Sequence, residues 1–126
     1  MKRKLTLLVA LLVGVAAFAA GKAQLTFRSQ TYDFGTIKAN GGPVTAIYEF
    51  TNTGDAPLAI SHVTNGGCGC TTPSYPKEPI RPGGKGVIKI HFNPTGRKGE
   101  VNRAVRVKSN GAKGKVTLQF SAVIIP

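Results

Sequence analysis

Val116-Thr117-Leu118-Gln119-Phe120-Ser121-Ala122-Val123-Ile124 decides the fold class. Val116, Leu118, Phe120, Ala122 and Ile124 occupy every second position, with Thr117, Gln119 and Ser121 between them. Successive side chains of an extended chain leave on opposite faces, so a period of two gives one apolar face and one wet face. That is the pattern of a strand whose sheet is packed on one side.

The same period recurs upstream. Leu25 and Phe27 alternate with Thr26 and Arg28; Val44, Ala46, Tyr48 and Phe50 alternate with Thr45 and Glu49. Further runs begin at Leu58 and Ile60, at Ile88, Ile90 and Phe92, and at Val101, Val105 and Val107, the last interrupted by Arg103. Asn40-Gly41-Gly42-Pro43, Asn52-Thr53-Gly54-Asp55, Arg81-Pro82-Gly83-Gly84, Asn93-Pro94-Thr95-Gly96 and Asn110-Gly111 stand between the runs, and all are turn-forming combinations. Asp33-Phe34-Gly35 reads as the end of a short edge strand, with Phe34 inward and Gly35 free to take an unusual backbone angle. Short strands at regular spacing predict an all-β, immunoglobulin-like β-sandwich of about seven strands; a small barrel is the alternative architecture. No helix longer than one turn and no internal repeat is expected.

Composition agrees. The chain has 126 residues, suited to one small domain, and 41% are hydrophobic, enough for a core. Sixteen Gly and eight Pro with only 17% charged residues exclude a long coiled coil. The length excludes a large enzyme with its own cofactor domain. Two Cys exclude a disulfide-dense miniprotein.

The N-terminus reads as an address. Met1-Lys2-Arg3-Lys4 is cationic, Leu5 to Ala19 carries no charge, and Ala17-Phe18-Ala19 has the small-x-small form of a cleavage site. Residues 1–19 are therefore expected to be a signal peptide and 20–126 the sandwich domain. The apolar run is shorter than the roughly 20 residues of a spanning helix, so no membrane span is expected after cleavage. The expected location is periplasmic or extracellular, where disulfides persist. Three of the 17 basic side chains lie in the address, leaving 14 against 5 acidic ones.

Several motifs also match a known family. Tyr32-Asp33-Phe34-Gly35-Thr36-Ile37, Tyr48-Glu49-Phe50-Thr51-Asn52-Thr53-Gly54-Asp55-Ala56-Pro57-Leu58, Cys68-Gly69-Cys70-Thr71-Thr72-Pro73, Tyr75-Pro76-Lys77-Glu78-Pro79-Ile80, Pro82-Gly83, Phe92-Asn93 and Val107-Lys108-Ser109-Asn110 follow one another in order. Together they resemble the domain-of-unknown-function 1573 family of secreted bacterial proteins, common in the Bacteroidetes group. The resemblance implies an immunoglobulin-like sandwich related to domains of major sperm protein and of Hydin-type ciliary proteins. It also implies a scaffolding or partner-binding role, and it carries no established activity. The residue before the first Cys is often Ser in that family and is Gly67 here.

Cys68 and Cys70 are the sharpest chemical feature. In a strand they share a face about 6.6 Å apart, near the upper limit for a disulfide, and a kink at Gly69 would shorten that span. Three readings stay open. The first is structural, two small side chains under a Gly-rich loop, bridged or not. The second is redox, a labile short-loop disulfide with Lys77 and Arg81 as candidate thiolate-stabilising charges. The third is metal binding, with His62 or His91 completing a copper or zinc site.

No catalytic constellation or cofactor motif is visible: there is no Gly-x-Ser-x-Gly elbow, no His-Glu-x-x-His and no phosphate loop. The chain reads as a non-enzyme without cofactors. Basic charge concentrates late, and Arg103, Arg106, Lys108, Lys113 and Lys115 form a candidate patch for an anionic envelope component or acidic protein. Solubility and edge protection account for the same charges. Nucleic acid is not expected, since aromatic interleaving is absent. An exposed sheet edge that accepts a partner's strand is the expected mode of protein binding.

Overall fold

The computed structural model describes residues 21–126, so the expected signal peptide lies outside the described residues. Eight strands follow one another: β1 (Leu25–Phe27), β2 (Thr31–Lys38), β3 (Val44–Asn52), β4 (Ile60–Val63), β5 (Thr71–Ser74), β6 (Lys85–Phe92), β7 (Gly99–Ser109) and β8 (Lys115–Ile125). They form two four-stranded sheets, ordered β1-β3-β6-β5 and β2-β8-β7-β4. This is the all-β sandwich that the alternation predicts, not a closed barrel. No helix among the described residues is long and apolar enough to cross a membrane.

The alternation builds the core. Leu118, Phe120, Ala122 and Ile124 of β8 are buried, as are Ala46, Tyr48 and Phe50 of β3 and Ile88, Ile90 and Phe92 of β6. Val101, Val105 and Val107 of β7 are buried in the same layer as the β8 residues and face those of β3 and β6. Phe34 reaches in from the edge strand β2. Its ring lies 5.6 Å from that of Phe120, edge to face, and Phe92 lies 5.2 Å from Phe120. Such aromatic contacts add to the stabilisation from burial alone.

Two elements differ from the expectation. Asp33-Phe34-Gly35 does not end a strand. It is a bulge inside β2, which continues to Lys38 and pairs with β8 in parallel. Gly35 takes a φ of 69°, and its N–H donates to Asp33 Oδ1 at 2.8 Å. The added strand is β5, Thr-Thr-Pro-Ser, which has no apolar alternation and owes its extended form to pairing with β6.

Asn52 closes one end of the sandwich. It is fully buried and uses its whole amide. Nδ2 donates to the carbonyls of Ala56 and Ile80 at 2.8 and 2.9 Å. Oδ1 accepts from the N–H groups of Gln24 and Gly54 at 3.2 and 3.0 Å. One side chain thus ties the N-terminal segment, its own turn and the loop before β6 together. A buried amide satisfied on all sides is stabilising; half satisfied, it is costly.

Natural sheets blunt their edges against unwanted pairing. Here β1 has three residues, β5 has four including Pro73, and both β2 and β4 are bulged.

Candidate functional site

The chain leaves one sheet at Val63 and enters the other at Thr71, and the cysteines lie in this crossover. Thr64 still follows β7: its N–H donates to the Arg106 carbonyl at 3.0 Å, and its Oγ1 accepts from the Arg106 N–H at 2.9 Å. The chain then turns away. Asn65 Oδ1 accepts from the Gly67 N–H at 2.9 Å, and Gly66 and Gly67 take φ values of 69° and 78°. A side chain at Gly66 would also press on the Ala104 carbonyl oxygen, 2.8 Å from the site of its Cβ. The two glycines are what allow so tight an exit.

Cys68 and Cys70 form a disulfide, with Cα atoms 5.2 Å apart. The distance is shorter than the extended-strand expectation because the pair sits in a turn, where the Thr71 N–H donates to the Cys68 carbonyl at 3.2 Å. Cys68 is buried; Cys70 is half-buried and packs against the core. Two donors converge on Cys68 Sγ: Arg97 Nη2 at 3.1 Å and the Cys70 N–H at 3.2 Å. Cys70 Sγ has the Thr71 hydroxyl at 3.6 Å.

Nothing in the sequence around Arg97 signals this role. The turn Pro94–Arg97, closed by the Arg97 N–H donating to the Pro94 carbonyl, carries it to the disulfide. The two charges expected there lie elsewhere: the Lys77 ammonium sits 3.5 Å above the Tyr75 ring, and Arg81 is exposed before β6.

The histidines lie in different sheets. The bulge at Ser61 turns His62 outward from β4, where it is exposed. His91 lies on the outer side of β6, with Nδ1 2.9 Å from Thr45 Oγ1. Among the described residues, no three His, Cys, Asp or Glu side chains converge as a metal site would require.

The basic patch divides. Arg106 and Lys108 point outward from β7; Lys108 stands opposite Lys115 and next to His62, and Lys113 lies in the adjoining hairpin turn. Arg103 does not join them. It falls in the inward row with Val101, Val105 and Val107, opposite Phe120, and its Nε is enclosed with no hydrogen-bond partner among the described residues. The reason is the period of two, which sends residue 103 to the face opposite 106 and 108.

One stretch of backbone is left bare. β7 runs for eleven residues, and β4 pairs with only its last three. The Thr64 contacts show that the backbone groups of Arg106 point away from β8. By alternation those of Ala104, Asn102 and Glu100 do so as well. Among the described residues no strand lies beside this part of β7, and the side chains of Ala104, Asn102 and Glu100 are exposed.

Comparison with known proteins places the fold. A protein of unknown function from Porphyromonas gingivalis W83 superposes with a TM-score of 0.72 at 22% identity, over 83% of this chain. The chain spans 48% of that protein's length. PapD-like domain 7 of human CEP192 superposes at 0.64 with 15% identity, over 82% of this chain and 87% of that domain. WR4, a C. elegans member of the major sperm protein family, superposes at 0.51 with 11% identity, over 82% and 99%. These similarities show the immunoglobulin-like fold that the sequence motifs imply. No curated protein matches by sequence. A family profile, described as protein of unknown function (DUF1573), matches residues 25–124. The match spans nearly all the described residues, and the chain belongs to that family.

Proposed function

We propose that the chain is a non-enzymatic protein-binding module of the bacterial cell envelope, exported by its N-terminal segment. It takes an extended segment of its partner onto the bare edge of β7. The observation that carries this reading is the mismatch between the eleven residues of β7 and the four of β4. The other edges are short, bulged or proline-bearing, whereas β7 at Glu100 and Asn102, before Gly66 closes on the Ala104 carbonyl, offers an unshielded ladder. An added strand gains main-chain hydrogen bonds there and takes its selectivity from alternate side chains.

A photo-crosslinking residue at position 102, expressed in the native envelope, tests the reading. It should yield one defined protein adduct, and the same residue at position 72 of β5 should not. Asn102→Pro removes a donor that points away from β8, so the β7–β8 ladder survives while the partner loses a bond. Loss of partner binding is expected. Equal adducts from both positions, or undiminished binding by Asn102→Pro, count against the reading.

A second reading has its own support. Lys108 and Lys115 face each other in register, a like-charge pair that costs stability, with His62 beside them. The salt bridge found among the described residues, Arg28–Glu49, belongs to the other sheet. A positive row of this kind suits an anionic envelope component. Its binding should weaken steeply with salt and be lost in Lys108→Glu/Lys115→Glu; edge binding should respond to neither.

A further inference from the structure

We infer that the Cys68–Cys70 disulfide is a thiol–disulfide exchange site in which the sulfurs have unequal roles. Cys70 receives the incoming thiolate, and Cys68 is the leaving group.

A bridge across one intervening residue removes little conformational freedom from the unfolded chain, so it is a weak staple. What surrounds it is suited to chemistry instead. The sulfur of Cys68 accepts from the Arg97 guanidinium at 3.1 Å and from the Cys70 N–H at 3.2 Å. A disulfide sulfur is a poor acceptor and a thiolate a strong one. Both contacts therefore strengthen as the sulfur–sulfur bond breaks, which is where stabilisation accelerates a reaction. Arginine keeps its charge at every relevant pH. Cys70, with only a neutral hydroxyl at 3.6 Å, lacks this support and is the more accessible of the two. Exchange is faster when the departing sulfur is better stabilised, so the asymmetry selects which bond partner leaves.

The co-reactant is an external dithiol. One of its thiolates attacks Cys70 Sγ, forming a mixed disulfide. The Cys68–Cys70 bond breaks, and its electron pair stays on Cys68 Sγ as a thiolate facing Arg97. The second thiol of the reagent, having given up its proton, then attacks the reagent sulfur of the mixed disulfide and displaces Cys70 as a thiolate, which takes up a proton. The reagent leaves as a cyclic disulfide; it is oxidised by two electrons, and the cysteine pair is reduced by two. Run backward, the reduced pair reduces a partner disulfide. This chemistry is independent of strand binding at β7, and its test does not involve a partner protein.

The oxidised full chain is mixed with excess dithiothreitol at pH 7, quenched at intervals with an alkylating agent and weighed by mass spectrometry. Arg97→Gln, which keeps donors and removes charge, should slow reduction about tenfold, with Arg97→Lys between it and the wild type. Circular dichroism establishes that each variant is folded. In parallel, wild-type chain is treated with glutathione and quenched. The adduct should sit on Cys70 and the alkyl group on Cys68, whatever the fate of the Arg97 variants. A rate for folded Arg97→Gln within twofold of wild type, an adduct on Cys68 or shared equally, or reduction only in denaturant would overturn the inference.

Discussion

Replacing Asn52 by alanine should remove more stability than any exposed polar substitution in the chain. The side chain makes four hydrogen bonds, and its loss strips the amide partner from the Gln24 and Gly54 N–H groups and the Ala56 carbonyl. The Ile80 carbonyl keeps a bond from the Leu58 N–H at 2.8 Å. At about 1 kcal/mol per bond the gross loss is near 4 kcal/mol, and water reaching exposed Gln24 reduces it to roughly 3 kcal/mol. For a domain of this size that is a fall in Tm of about 12–24 °C. Asn52→Asp sharpens the test. It keeps both accepted bonds but aims a carboxylate oxygen at the Ala56 and Ile80 carbonyls. Burial and those oxygens hold the introduced carboxyl's pKa above its unfolded value of about 4. A group with a raised folded pKa contributes most below the unfolded value and loses that contribution as pH rises. Asn52→Asp should therefore be the least stable variant at pH 7 and recover toward pH 4 relative to wild type. Urea unfolding at both pH values measures this. A loss below about 1 kcal/mol for Asn52→Ala, or a pH-independent deficit for Asn52→Asp, would refute the idea that the amide is an obligatory clip.

Three further outcomes are expected. Gly86→Ala places a methyl 2.6 Å from Phe50 Cζ and should cost about 1–3 kcal/mol; prior Phe50→Leu should relieve much of it in a double-mutant cycle. Tyr48→Phe removes the hydrogen bond that its hydroxyl donates to the Gln119 carbonyl at 2.6 Å and should cost about 1 kcal/mol at neutral pH by calorimetry. Burial, with a smaller push from Tyr32, drives the Tyr48 pKa far above the usual tyrosine range. Its folded pKa is thus raised above the unfolded value, so wild type should lose up to about 1.4 kcal/mol per pH unit above pH 10 relative to Tyr48→Phe. Cys68→Ser/Cys70→Ser should remain folded by circular dichroism and lose no more than about 2 kcal/mol in urea unfolding, because the bridge closes so short a loop; collapse of the fold would show the bridge to be structural.

Much of the sandwich is legible in the linear sequence. Val116 to Ile124, Val44 to Phe50 and Ile88 to Phe92 carry their inner and outer faces in a period of two, which depends only on backbone geometry. Even Arg103 was readable: its position puts it with Val101, Val105 and Val107, and grouping it by charge with Arg106 and Lys108 misplaces it. Gly35 and the glycines at 66 and 67 likewise announce turns through local φ preferences. Asn52 was readable as a turn residue but not as a buried clip, since one of its partners, Ile80, lies 28 residues away.

The alternating strands and their inward faces were therefore determined by the sequence itself, through local sterics and the alternation of apolar side chains. Tertiary structure alone decided the parallel union of β2 with β8, the recruitment of β5, the uncovered edge of β7 and the meeting of Arg97 with Cys68, 29 residues apart. These are contacts between distant segments. Their partners are selected by how two sheets close over a shared core, and no local pattern along the chain encodes that choice.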